Sequence, residues 1–242
     1  MQAKAQITFA TSCYEKDWLY VLLHPEYLRV KQIERHCYPF AERLLVINNV
    51  DPKTLSEASR AAQRHLDNGT LTKIVFAEQI ADEVFSFFQL QRSDFSNDWL
   101  YYNALAPLAA IYSCQTEYLL YMTGDSSLNQ PISWIDEAID RMKKEDRYKV
   151  ANLTWNDKYE EARREADGMD GPFFVASRGF SDQMFLVRAE DFKQPIYREI
   201  HPESHHFPWG DIFEKRAFSA MLYRGWKRIT YRDGSYSHQN FP

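Results

Sequence analysis

The chain has 242 residues, 45% of them hydrophobic and 15% aromatic, with a formal net charge of -5 at pH 7. That length and apolar content suit one large α/β domain and exclude pervasive disorder, while an acidic balance without a long Lys/Arg stripe argues against nucleic acid as a partner. The three cysteines, Cys13, Cys37 and Cys114, show no C-x-x-C spacing, which argues against a disulfide framework or zinc knuckle and for a reducing, cytoplasmic compartment.

No run reaches the roughly 18 apolar residues of a membrane span, and "ITFA" near the start is too short for a signal-peptide core, so membrane contact would be peripheral, at the surface.

In chain order, "QITFATSC" (6–13) reads as a strand ending in small polar residues, and "LHPEYLRVKQIERHC" (23–37) carries helical spacing of Leu28, Ile33 and Cys37. "ERLLVINNV" is a second strand. Asp51-Pro52 then opens a helix that Gly69 stops, and "TKIVFAE" is a third strand. "SNDWLYYNALAPLAAIYSCQ" (96–115) reads as a helix that Pro107 must kink or divide, followed by the strand "EYLLYMT". Strand and helix thus alternate over about 120 residues, the signature of a parallel sheet wrapped by crossover helices. Ligands of such sheets sit beyond the carboxyl ends of the strands, where "TSC", "NNVD" and "TGDSS" fall.

After residue 130 the alternation lapses. "ISWIDEAIDRMKK" is an amphipathic helix, "YKVANLTW" a strand and "DKYEEARREADG" a charged, solvated segment. "GPFFVASRGFSDQMFLVRAEDF" holds two β-rich pieces broken at Arg178-Gly179, and "FEKRAFSAMLYRGWKRITY" is a helix ending at Gly225 that feeds a last strand. With no repeat or linker, 1–242 reads as one domain, with a nucleotide-type half over 1–128 and a mixed α/β half over 129–242.

This order, with a small acidic loop after the fourth strand, resembles the GT-A fold of nucleotide-sugar-dependent glycosyltransferases, especially family 2-like enzymes. The resemblance rests on "ITFATSCYEKDW", "LLVINNVD", "NALAPLAAIYSCQTEYLLYMTGDSS" and "PWGDIFEKRAFSAMLYRGWKRI", and covers most of the chain. It implies a mostly parallel central sheet and transfer of a sugar from a nucleotide-diphosphate sugar to a hydroxyl of a glycan or lipid-linked acceptor, as in polysaccharide biosynthesis, inverting and assisted by Mn2+ or Mg2+. Two departures stand out. The usual Asp-x-Asp is reduced to Thr123-Gly124-Asp125, and the usual Glu-Asp before the late helix is Gly210-Asp211. A non-catalytic nucleotide- or glycan-binding module on the same scaffold is the alternative. A nucleotidyltransferase is the weaker one, since "TSCYEKDW" has no glycine for a phosphate-binding loop.

The resemblance assigns Asp125 as a carboxylate ligand of the metal and His238 as a further one, with Gly124 allowing close backbone approach and Ser126 and Ser127 adding hydroxyls. Thr11, Tyr14, Asn48, Asn49 and Asp51 would meet the base and ribose. A turn with Asp125, Asn49 and Asp51 as capping residues is the bland alternative. Asp211 is the first candidate for the base that takes the acceptor proton, although "DIFE" also fits a capping box, and Asp182 is its rival. Gln183, Trp155 and Trp209 would face acceptor sugar. "HPESHH" (201–206) is read as a solvated loop rather than a zinc site.

Overall fold

A computed structural model describes residues 4–204 and 210–239. Strands β1 (Ile7–Tyr14), β2 (Glu42–Asn48), β3 (Lys73–Phe76) and β4 (Tyr118–Met122) form the parallel part of a ten-stranded sheet. β5 (Ser126–Leu128), β6 (Tyr148–Trp155), β7 (Gly168–Asp170), β8 (Phe173–Ala176), β9 (Met184–Arg188) and β10 (Lys227–His238) complete it in the order β3-β2-β1-β4-β9-β6-β10-β8-β7, with β5 paired to β10. β9 runs antiparallel to both β4 and β6, and β6 is parallel to β10. Parallel pairing therefore dominates the first half and antiparallel pairing the second, in line with a nucleotide-type half joined to a mixed one.

The helices are α1 (Trp18–Val21), α2 (Leu55–Asp67), α3 (Ala81–Phe87), α4 (Asp98–Ser113), α5 (Ile135–Lys144), α6 (Tyr159–Glu165), α7 (Ala189–Phe192) and α8 (Phe213–Arg224). Two apolar clusters, one on each side of the sheet strands, supply the core: Phe9, Ile47, Leu120 and Trp134 belong to one, Leu44, Val46, Leu119 and Phe213 to the other. β1 is buried along nearly its whole length, as a central parallel strand covered on both faces must be.

Several local expectations are corrected. The helix expected over 23–37 is a π-helical segment, Tyr27–Ile33, and a 3-10 turn, Glu34–His36, because Pro25 interrupts the run and Cys37 at φ 52 ends it. Pro107 does not divide α4, which runs unbroken over Asp98–Ser113; its missing N–H costs only the bond to the Asn103 carbonyl. The stretch 157–168 is not wholly solvated, since α6 buries Ala162. α3 and the short hairpin strand β7 escape sequence reading, being brief and weakly periodic. No helix among the described residues is long and apolar enough to cross a membrane.

Candidate active site

The carboxyl ends of β1, β2 and β4 open onto a cleft of about 670 Å³. Ser12 and Tyr14 reach it from β1, Asn48 from β2, and Thr123, Gly124 and Asp125 from the turn after β4. Asp182 and Gln183 enter from the residues before β9, Glu214 from the first turn of α8, and His238 from the end of β10. Tyr102 and the exposed Trp99 of α4 form its rim.

The turn carrying Asp125 is held from behind. Gln32, fully buried, directs its amide nitrogen at the carbonyls of Thr123 (3.0 Å), Gly124 (3.2 Å) and Ser126 (2.8 Å), and the Tyr27 hydroxyl donates to the Ser126 carbonyl at 3.1 Å. Gly124 is required here because a Cβ would lie 2.1 Å from the carbonyl oxygen of Ser12. Its close approach is thus to the backbone of β1. Ser126 and Ser127 belong to β5 and are buried, with Ser126 Oγ on Thr123 Oγ1 at 2.8 Å, so neither hydroxyl is offered to the cleft.

β10 is longer than the sequence suggests, and a register shift between Tyr231 and Ser235 lets it continue to His238. His238 is therefore a strand residue, fixed by Asn156 Oδ1, which accepts its backbone N–H at 2.8 Å. His238 Nε2 stands 2.9 Å from Asp125 Oδ2, each side chain about one-fifth exposed. The hydrogen bond to Asp125 holds the imidazole pKa above its ordinary value. Nearby in the cleft, burial and the charge of Asp125 push the Asp17 carboxyl up to about 7. Cis ligands of an octahedral ion at about 2.1 Å lie roughly 3 Å apart, so one carboxylate oxygen and one imidazole nitrogen at this spacing fit two positions around a divalent ion. Among the described residues no set of three such side chains surrounds one point, so further ligands would come from substrate and water.

The second charged centre is Asp182. Its Oδ2 receives Asn103 Nδ2 at 3.5 Å, while Asn103 Oδ1 accepts the backbone N–H of Phe213 at 3.1 Å. Burial raises the Asp182 pKa, and burial together with the charge of Asp182 raises that of Glu214. Asp211 lies away from the cleft lining, its Oδ1 on Lys215 Nζ at 2.7 Å and its carbonyl on Arg216 Nε at 2.9 Å. Nor does Asp211 cap α8: the N-cap is Ile212, with no side-chain cap bond, and Asn103 satisfies the first helical amide instead. Glu214, expected only as the partner in a capping box, is the residue of this segment that faces the cleft.

The donor candidates divide in the same way. Tyr14 and Asn48 line the cleft. Asn48 Nδ2 donates to the Tyr102 carbonyl at 2.8 Å, which leaves Asn48 Oδ1 buried without a partner. Thr11 is fully buried off the cleft, and its neighbour Ser12, on the opposite side of the strand, is the residue that enters it, 3.0 Å from the Tyr121 hydroxyl. Asn49 at φ 54 donates its backbone N–H to Glu78 and its amide to Glu15, and Asp51 accepts the Lys53 N–H at 2.9 Å as a turn residue; neither lines the cleft. Trp209, His205 and His206 lie outside the described residues.

A smaller cleft of about 360 Å³ adjoins the first and shares Asp182, Gln183 and Glu214 with it; Trp155 lies in its wall. Asn103, Tyr102, Trp99, Asp17 and Gln32 were not singled out from the sequence. Asn103 did leave a signal, as a lone amide inside the otherwise apolar "YNALAPLAA".

The fold is that of the GT-A-type glycosyltransferases. Among the solved structures the chain is similar to are GalNAc-T7 with UDP, GalNAc and Mn2+, at TM-score 0.53 and 11% identity, and the mannosyltransferase PcManGT from Pyrobaculum calidifontis with GDP-Man and Mn2+, at TM-score 0.53 and 14% identity. Each alignment covers 98% of this chain but only 44% of the first protein and 57% of the second, so the chain spans about half their length. No protein-family model and no curated protein matches the sequence.

Proposed function

We propose that the chain is a metal-assisted, inverting glycosyltransferase that moves a sugar from a nucleotide-diphosphate sugar to a hydroxyl of a glycan or lipid-linked acceptor. The observation that carries this is the one cleft in which the Asn48 and Tyr14 recess, the Asp125–His238 pair and the half-buried carboxylate Asp182 follow one another. In this reading Asn48 Oδ1 accepts an N–H of the base, and Tyr14, Tyr102 and Trp99 supply ring surface around it. The fold neighbours were solved with UDP or GDP-Man and Mn2+, which supports both the donor class and the ion.

Asp125 and His238 would hold the ion, whose chemistry is to neutralise the leaving diphosphate. The acceptor oxygen forms its bond to the anomeric carbon as the bond from that carbon to the diphosphate oxygen breaks. The hydroxyl proton passes to Asp182, whose Oδ2 is met by the Asn103 amide. Asp182 replaces Asp211 in this role, since Asp211 is engaged with Lys215 outside the cleft. Three unbridged cysteines fit a reducing compartment such as the cytoplasm, with contact at a membrane surface left to the acceptor.

Incubation with UDP-, GDP- and dTDP-sugars plus Mn2+, with release of nucleotide as the readout, tests the proposal; absence of both binding and hydrolysis for every donor would sink it. The two-membered ligand set favours a second reading, a binding module that holds nucleotide without turnover. Nucleotide binding with no transfer or hydrolysis selects that reading.

A further inference from the structure

We infer that Gln32 and Tyr27 are positioning residues for the ion: from the π-helical segment Tyr27–Ile33 they lock the turn that carries Asp125, so that its carboxylate is held beside His238. The inference deepens the metal-assisted reading and rests on it for the identity of what Asp125 holds.

Asp125 is the third residue of a turn over Thr123, Gly124, Asp125 and Ser126, closed by the Ser126 N–H on the Thr123 carbonyl at 3.1 Å. Its ends are fixed by backbone bonds, the Thr123 N–H on the Gln183 carbonyl at 2.9 Å and the Gln239 N–H on the Asp125 carbonyl at 3.0 Å. The central peptide, Gly124–Asp125, takes part in none of these. Flipping that one plane interconverts turn types without breaking the closing bond, and it changes the direction in which the third side chain leaves the backbone. Neither Gly124 nor Asp125 has a positive φ, which excludes type II and the mirror-image turns. What holds the central plane is Gln32, whose Nε2 meets the Gly124 carbonyl at 3.2 Å.

Gln32 is present for its donors. Its nitrogen faces three carbonyls of the turn, while its own Oε1 is buried without a partner. An apolar side chain of equal size would fill the space without the cost of that unpaired oxygen, and the reversed amide would set oxygen against oxygen. The π-helical turn makes the grip two-handed. In an α-helix, at about 100° per residue, Tyr27 and Gln32 would point about 140° apart. The wider turn, marked by the Lys31 N–H on the Glu26 carbonyl at 3.1 Å, returns Gln32 to the side of Tyr27. Both then reach the Ser126 carbonyl, the Tyr27 hydroxyl at 3.1 Å and Gln32 Nε2 at 2.8 Å. With Thr123 and Gly124 before it, Asp125 is the one carboxylate of this turn, so no neighbour makes good an error in its aim.

Gln32→Met keeps the volume and removes the donors, Gln32→Glu keeps the shape and offers an acceptor instead, and Tyr27→Phe removes a hydroxyl alone. Phe88→Leu, in the other apolar cluster against Tyr197, controls for lost stability. The parent chain and each variant would be melted and titrated with Mn2+ by calorimetry and electron paramagnetic resonance, with and without UDP or GDP. Mn2+ affinity should fall about tenfold or more in both Gln32 variants, the scale of losing a group that orients a metal ligand. It should fall less in Tyr27→Phe, which leaves the Gly124 carbonyl bonded, and not in Phe88→Leu; metal-free nucleotide binding should stay at the parent value throughout. Parent-like Mn2+ affinity in a folded Gln32 variant, or an equal loss in Phe88→Leu, overturns the inference alone. Should both Gln32 variants fail to fold, unchanged Mn2+ affinity in Tyr27→Phe overturns it. A parent chain that binds no Mn2+, with or without nucleotide, overturns the metal-assisted reading as well.

Discussion

The side-chain oxygen of Asn103 accepts the backbone N–H of Phe213 at 3.1 Å, joining α4 to the first turn of α8 across 110 residues of sequence. Its amide nitrogen meanwhile points to Asp182 Oδ2 at 3.5 Å. One amide therefore orients both carboxyl groups of the proposed reaction centre, Asp182 directly and Glu214 through the helix that bears it. Asn103→Leu should lose the cap, at a cost of about 1 kcal/mol, the usual scale for such a bond. It should also raise the Asp182 pKa and move the acid limb of the transfer rate upward in pH. A lowered Tm with an unmoved pH profile would leave Asn103 a structural cap alone.

Asp182→Asn and Asp211→Asn should separate sharply. The first removes the proposed proton acceptor and should lower transfer by about 10² to 10⁴ with donor affinity nearly intact. The second should leave transfer within a few-fold and instead lower stability by about 1 kcal/mol, because the Lys215 side chain, 7% exposed, loses its charged partner. Steady-state kinetics and thermal melts on the pair decide it; the opposite pattern would restore Asp211 as the base.

For Asp125→Asn, calorimetry should show Mn2+-dependent nucleotide binding weakened by about tenfold or more, with metal-free binding little changed. NMR titration should show His238 falling back toward an ordinary imidazole value, because the bond to Asp125 is the main cause of its raised pKa. In the parent that pair stabilises the fold fully below the unfolded histidine value of about 6.5, and the contribution is lost as pH rises through the higher folded value. Mn2+ affinity should therefore climb with pH as the proton on His238 is displaced.

Glu214 carries a stability penalty that follows from its raised pKa. The folded protein keeps its proton while the unfolded chain loses it near pH 4.3, so the penalty is absent at lower pH and grows as pH rises toward the folded value. Glu214→Gln should match the parent in Tm near pH 4 and exceed it by several degrees near pH 8, where each 1 kcal/mol is worth roughly 2–4 °C for a chain of this size. A pH-independent difference in Tm would show that Glu214 is not held protonated.

Local pattern determined much of this protein. Apolar runs that end in small polar residues located β1, β2 and β4, Gly225 at φ 64 stopped α8 where expected, and "TGDSS" lay at the mouth of the cleft. These features depend on neighbours within a few residues, and periodicity reports them. What tertiary structure alone decided was facing. β1 is buried on both sides, so no alternation of polarity betrayed that Ser12 and not Thr11 enters the cleft. The rotation that turns Glu214 inward and Asp211 toward Lys215 is set by an asparagine on another helix, and the meeting of His238 with Asp125 by a register shift late in β10. Such contacts join residues about a hundred positions apart, and no local pattern encodes them, because the free energy that fixes them arises only when the sheet and helices pack together.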